Sequence, residues 1–128
     1  MSSHPSNPNE SQPRPLQGVR VLDFTSMMAG PYATRYLADL GAEVIKVEHP
    51  QKGDVMRARA REPLGDDFGA GFAALNQGKK SLALNLKHPR GKRVFLDLVA
   101  RSDVVWDNFR PGVMQRLGFT RDTLAAIN

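Results

Sequence analysis

Residues 18–50 restrict the possible folds more than any other part of the chain. Residues 18–24 (GVRVLDF) are apolar at 19, 21, 22 and 24 and read as a β-strand. A turn over 25–30 leads to Pro31, whose fixed φ suits the first position of a helix. Tyr32, Ala33, Tyr36, Leu37 and Leu40 then recur at helical spacing, with Arg35 and Asp39 on the other face. Gly41 supplies a left-handed stop, and residues 42–48 form a second strand closed by Pro50. Two strands joined by a helix must run parallel, with a right-handed crossover, so this segment predicts an α/β fold.

The remaining chain extends the same pattern. Residues 51–71, rich in Gly and Arg and without a clear period, are expected to form a loop. Residues 81–86 alternate strictly, with three leucines on one face, and predict a strand. Pro89 opens a helix with an apolar stripe of Val94, Phe95, Leu98 and Val99, and with Asp97 able to pair with Arg93 or Arg101. A short strand over 103–106 and two short helices over 111–117 and 121–127 complete a mostly parallel, Rossmann-like sheet flanked by helices. Residues 1–15, mostly Ser, Pro, Asn and other polar groups, cannot bury enough apolar surface to order themselves and are expected to be a disordered tail.

Composition removes several classes of function. The chain has 128 residues and no cysteine, which excludes a disulfide scaffold, a thiolate metal site and a thiol nucleophile. No apolar run approaches the ~20 residues that span a bilayer, and the first residues lack the apolar core of a secretory signal, so a cytoplasmic location is expected. Eighteen Lys and Arg against thirteen Asp and Glu give a net charge of +5. The excess is local: residues 78–101 hold seven basic side chains and one acid, and Arg57, Arg59 and Arg61 form a second cluster. An anionic partner follows from this. Nucleic acid fits less well than a polyphosphate ligand, because no helix-turn-helix, zinc finger or RNA-binding aromatic strand accompanies the charge.

No catalytic constellation emerges from spacing. The first strand–helix turn, Ser26 to Pro31, lacks the GxGxxG of dinucleotide sites, though Met27 and Met28 could form an apolar shelf for a flat ring. Lys79 and Lys80, just before a strand, read either as a solvated turn or as phosphate ligands. Asp23, at a strand's carboxyl end, holds either a catalytic address or a turn cap. His49 and His88 are isolated from other metal-ligand residues.

Taken in order, six stretches resemble the family III CoA-transferases, the group that includes formyl-CoA transferase, carnitine CoA-transferase and the related α-methylacyl-CoA racemases. They are 16–24 (LQGVRVLDF), 29–31 (AGP), 37–48 (LADLGAEVIKVE), Gly53-Asp54 with Arg57, 76–87 (NQGKKSLALNLK) and 107–118 (DNFRPGVMQRLG). The resemblance implies that residues 16–128 are the N-terminal part of the family's large domain, with acyl-CoA and a free carboxylic acid as substrates and no permanently bound cofactor. It places Met27, Met28, Ala29, His49, Leu84, Asn85, Leu86, Lys87, Asn108, Phe109, Arg110 and Arg116 at CoA-contacting positions. His49 departs from the Arg common there. The family's nucleophilic aspartate follows a further strand and a glycine-rich segment. None of Asp23, Asp97, Asp103 or Asp107 matches that position, so no catalytic residue is assigned. The chain is therefore expected to supply CoA-binding elements but no nucleophile, and to be inactive and marginally stable alone. Relatives form interlocked homodimers; racemase and non-catalytic CoA-binding readings remain alternatives.

Overall fold

The computed structural model describes residues 13–58 and 69–128. Residues 1–12 of the expected tail, together with Arg59 and Arg61, lie outside them. Among the described residues, nine helices and strands follow in order: β1 (Arg20–Asp23), α1 (Ala29–Asp39), β2 (Glu43–Glu48), α2 (Ala70–Asn76), β3 (Lys80–Ala83), α3 (Pro89–Val99), β4 (Val104–Trp106), α4 (Val113–Leu117) and α5 (Arg121–Ala125). A 3₁₀ turn, Val55–Arg57, precedes α2.

The described strands form one parallel sheet in the order β3-β2-β1-β4. Val21 lies opposite Val44 on one side and Val104 on the other, and Val47 lies opposite Leu82. The chain leaves β1 in one direction to build β2 and β3, then returns to the far side of β1 for β4. The order therefore reverses between β1 and β4, the place where open α/β sheets bind ligands at their carboxyl ends.

Alternation along the strands sends side chains into two layers of core. Leu22, Phe24 and Val47 meet Phe95 and Val99 of α3 and Phe119 beneath α5, while Val21 and Val44 meet Ala38 of α1 and Ala42 on the opposite face. Phe95 is fully buried and packs edge-on against Phe24 (4.8 Å between centroids) and Phe119 (4.3 Å). Each such aromatic pair adds about 0.5–1.5 kcal/mol beyond its area burial.

Several local expectations are corrected. The face of α1 that packs on the sheet is the small one, Gly30, Pro31, Thr34 and Ala38, while Tyr32, Tyr36 and Leu40 are exposed. Close approach explains the choice: a Cβ on Gly30 would lie 2.4 Å from Cβ of Thr25. Val94 of α3 is exposed as well, and Asp97 makes no ion pair among the described residues. The 51–71 segment contains the 3₁₀ turn and the start of α2 rather than only loop. Strand β3 ends at Ala83 because Asn85 bends the chain, its Oδ1 accepting from Lys87 N (3.0 Å) and its carbonyl from His88 N (3.1 Å). Leu82, Leu84 and Leu86 nevertheless keep to one side and pack against the same core, and Leu84 N still donates to the Glu48 carbonyl (2.8 Å).

Candidate functional site

At the carboxyl ends of β1, β2 and β3 the chain encloses a cavity of about 260 Å³. Phe24, Val47, Leu84, Leu86, Phe109 and Leu117 give it apolar walls, and Thr25, Ser26, His49, Asn85 and Lys87 add polar groups. A second cavity of about 390 Å³ adjoins it through Glu48, His49 and Gly53 and is lined further by Lys52, Arg57 and Ser81. An apolar slot beside a groove that carries Lys52 and the paired Arg57 and Glu48 suits a ligand that joins a flat ring to polar groups.

The turn after β1 is held from three directions. Met27 has φ 74°, a left-handed conformation uncommon for a side chain of this size. Its N–H donates to Oδ1 of Asp54 (3.3 Å), as does the Ser26 hydroxyl (3.3 Å). Lys46 Nζ donates to the Thr25 carbonyl (2.7 Å) and lies 2.9 Å from Oδ2 of Asp54. Across the point where the strand order reverses, Asn108 accepts from Ser26 N (3.0 Å) and donates to Ser26 O (2.8 Å). The backbone of this turn is thus pinned by side chains from β2, from the loop after it and from the loop after β4.

Charge beneath the site is internal and paired. Asp23 accepts from Thr25 N (2.8 Å), the Thr34 hydroxyl (2.6 Å) and Lys79 Nζ (2.9 Å). Lys79 also donates to Pro31 O, Thr34 Oγ1 and Asn76 Oδ1, all within 2.9 Å. Burial pushes the Lys79 ammonium below its ordinary value, and Asp23 offsets only part of that. Lys79 is therefore neither a solvated turn residue nor a phosphate ligand, whereas Lys80 is exposed and pairs with Glu43. Asp23, surrounded by donors, is a structural acceptor.

Glu48 and Asp54 form the rim between the cavities. Burial acts to raise both carboxyls. For Glu48 the bonds and charge of Arg57 outweigh it (Nε 2.7 Å, Nη2 2.8 Å). For Asp54 the Met56 N–H (2.9 Å) and the Lys46 ammonium do so, and both groups stay below the usual carboxylate range. Arg57 further stacks 3.7 Å above the Phe72 ring. Asp103 and Asp107 are also engaged as acceptors, from Arg20 N (2.8 Å) and Phe109 N (3.1 Å).

Of the positions singled out in the sequence, His49, Leu84, Asn85, Leu86, Lys87 and Phe109 converge on the first cavity. Met27 and Met28 are exposed beside it, Met28 capping α1 and Ala29 beginning it. Asn108 braces the turn instead of lining a cavity. Arg110 and Arg116 are exposed and line neither cavity. Sequence reasoning missed Thr25, Ser26 and the Lys46–Asp54 pair. One signal was present: Lys46 and Glu48 lie within a parallel strand, which is buried on both faces and so demands internal partners.

The model of CoA-transferase family III matches residues 16–128. The chain belongs to that family. Formyl-CoA:oxalate CoA-transferase of Bradyrhizobium sp. (strain ORS 278) is 45% identical over 114 residues, covering 88% of this chain and 26% of the relative. Acetyl-CoA:oxalate CoA-transferase of Acetobacter aceti is 45% identical, covering 89% of this chain and 29% of the relative. Among solved structures, a CAIB/BAIF family protein from Brucella suis superposes with a TM-score of 0.83 at 38% identity, over 91% of this chain and 32% of that one. A Mycobacterium tuberculosis protein in an orthorhombic crystal form gives 0.82 at 44% identity, over 90% and 32%. This family III chain thus spans between a quarter and a third of the length of these relatives. No described helix is long and apolar enough to cross a membrane.

Proposed function

We propose that this chain supplies the nucleotide-binding part of a CoA-transferase that moves CoA between an acyl-CoA and a free carboxylic acid. The observation that carries the reading is the convergence of His49, Leu84, Asn85, Leu86, Lys87 and Phe109 on one cavity at the carboxyl ends of the strands. These residues come from three loops far apart in sequence. The apolar walls accept the adenine, and Lys87 with Lys52 of the neighbouring groove accepts phosphates. This reading also assigns contacts with CoA to Met27 and Met28, exposed on the turn after β1, and to Arg110 and Arg116, exposed after β4.

In this reading the transfer passes through an acyl-aspartyl anhydride and then an aspartyl-CoA thioester, which divides one hard acyl transfer into easier steps. In this reading none of Asp23, Asp97, Asp103 and Asp107 is that nucleophile; Asp23, Asp103 and Asp107 accept bonds from internal donors. The acid-accepting pocket and the dimer belong to the larger assembly. Titration calorimetry of the purified chain with CoA tests the proposal. Saturable binding, with no CoA transfer from an acyl-CoA to a free acid, is expected. Absence of binding would overturn the nucleotide-site assignment, and transfer by this chain alone would overturn the role given to its aspartates.

A further inference from the structure

Helix α3 turns Gly91, Phe95 and Val99 to the core, and its opposite face carries charge that neither cavity uses. Arg90, Arg93, Val94 and Asp97 are exposed there, with Arg101 just past the helix end. Their i, i+3, i+4, i+7 and i+11 spacing keeps all five on one side. Asp97 lies one turn from both Arg93 and Arg101, yet among the described residues none of the four charged side chains forms an ion pair. The three guanidiniums thus keep their donor forks open to carboxylates from outside. Every other described carboxylate except that of Asp122 is engaged by a cation or a backbone N–H. A second copy of the described residues therefore presents no acidic surface to match.

We propose that the outer face of α3 is a docking surface for an acidic segment of another polypeptide, with carboxylates for Arg90, Arg93 and Arg101 and an apolar side chain for Val94. Two features select a polypeptide over nucleic acid or an anionic lipid surface. Asp97 lies amid the arginines, where a row of phosphates meets repulsion, whereas a polypeptide brings a single cation to it. Val94, 43% exposed, gives the patch an apolar centre for which phosphates have no use. From Arg90 to Arg101 the face runs about 16 Å, a length that three turns of a partner helix cover. Surface charge pairs are individually weak, so the complex is transient and salt disrupts it. The proposal stands apart from the CoA-binding reading.

The probe is an alanine-based helical peptide of about fifteen residues, spaced to lie antiparallel to α3. It carries glutamate opposite each arginine, leucine opposite Val94 and lysine opposite Asp97. It is titrated into the whole ¹⁵N-labelled 128-residue chain and followed by NMR. The expected result is amide shifts confined to α3, with a dissociation constant between about 10 μM and 1 mM that rises with salt. Arg93→Glu should weaken binding about three- to tenfold, and Val94→Ser about two- to fivefold. Asp97→Lys should weaken it as well, and exchanging the lysine of the peptide for glutamate should restore it. All three positions are exposed, so each variant should melt within about 2 °C of the parent.

Absence of shifts, shifts spread over the whole surface, or an Asp97→Lys chain that the exchanged peptide does not rescue would each overturn the proposal. So would a short DNA duplex or phosphatidylserine vesicles that bind α3 more tightly than the peptide at the same salt. Asp97→Lys should tighten binding of both polyanions while weakening that of the original peptide.

Discussion

Lys79 carries its charge beneath α1 because four oxygens wait for it there, from Asp23, Pro31, Thr34 and Asn76. Removing one member of such a pair leaves the other charge buried without compensation, a cost of about 3–5 kcal/mol. Lys79→Met is therefore expected to lose stability on that scale in urea unfolding. Adding Asp23→Asn should recover part of the loss, so that the double variant is more stable than the sum of the two single changes predicts. Additive losses would show that the ion pair contributes no coupling. The sequence disclosed the pair of lysines but not their division of labour. Two adjacent lysines entering a strand point to opposite faces, and only tertiary packing decides that Lys79 turns inward and Lys80 meets Glu43 at the surface.

Among the elements, the two βα units were legible because period, Pro and Gly agree at each boundary. Strands β1, β2 and β4 and helices α1 and α3 lie where alternation, Pro31, Pro89 and Gly41 place them, to within a few residues. What could not be read was orientation. Helix α1 carries two competing stripes, and the smaller residues won because the sheet and the buried charges beneath require close approach. Helix α2 was hidden by a stretch of Gly and charge, and β3 was read too long because Asn85 ends it by a side-chain bond rather than by composition. The candidate site was legible through its family motifs. The braces behind it were not, since Lys46, Asp54 and Asn108 join loops that no local pattern connects. Gly91 tests how the β3–α3 corner shapes the cavity. A Cβ there would lie 2.1 Å from the Asn85 carbonyl oxygen, so α3 can seat its first turn only on a glycine. Gly91→Ala should lower stability by about 1–3 kcal/mol in denaturant unfolding and weaken CoA binding through displacement of Asn85 and Leu86. Unchanged CoA affinity would show that the corner can shift without disturbing the cavity.

For the whole molecule, acid should act through the rim between the cavities. Glu48 and Asp54 are both held below the usual carboxylate range in the folded state. As pH falls, the unfolded chain takes up protons at these groups before the folded chain does, so their contribution is complete above about pH 5 and is lost progressively below about pH 4. Thermal unfolding followed by circular dichroism should show a plateau above that range and a steep decline beneath it. A melting temperature insensitive to pH there would contradict the charge arrangement. The sheet also has unlike edges: β3 shows Lys80 and Ser81 to solvent, whereas β4 offers Val104, Val105 and Trp106. Charge protects the first edge from further strand pairing, and little protects the second.

The bonds between Asn108 and Ser26 join residues 82 positions apart in the chain. On a ribosome, the first turn would emerge long before the side chain that completes its backbone bonding. Until then the left-handed backbone of Met27 is braced from the β2 side alone, by Asp54 on Met27 and Ser26 and by Lys46 on Thr25. The ligand cradle is thus a late product of folding, assembled when β4 docks and not when the first βαβ unit forms.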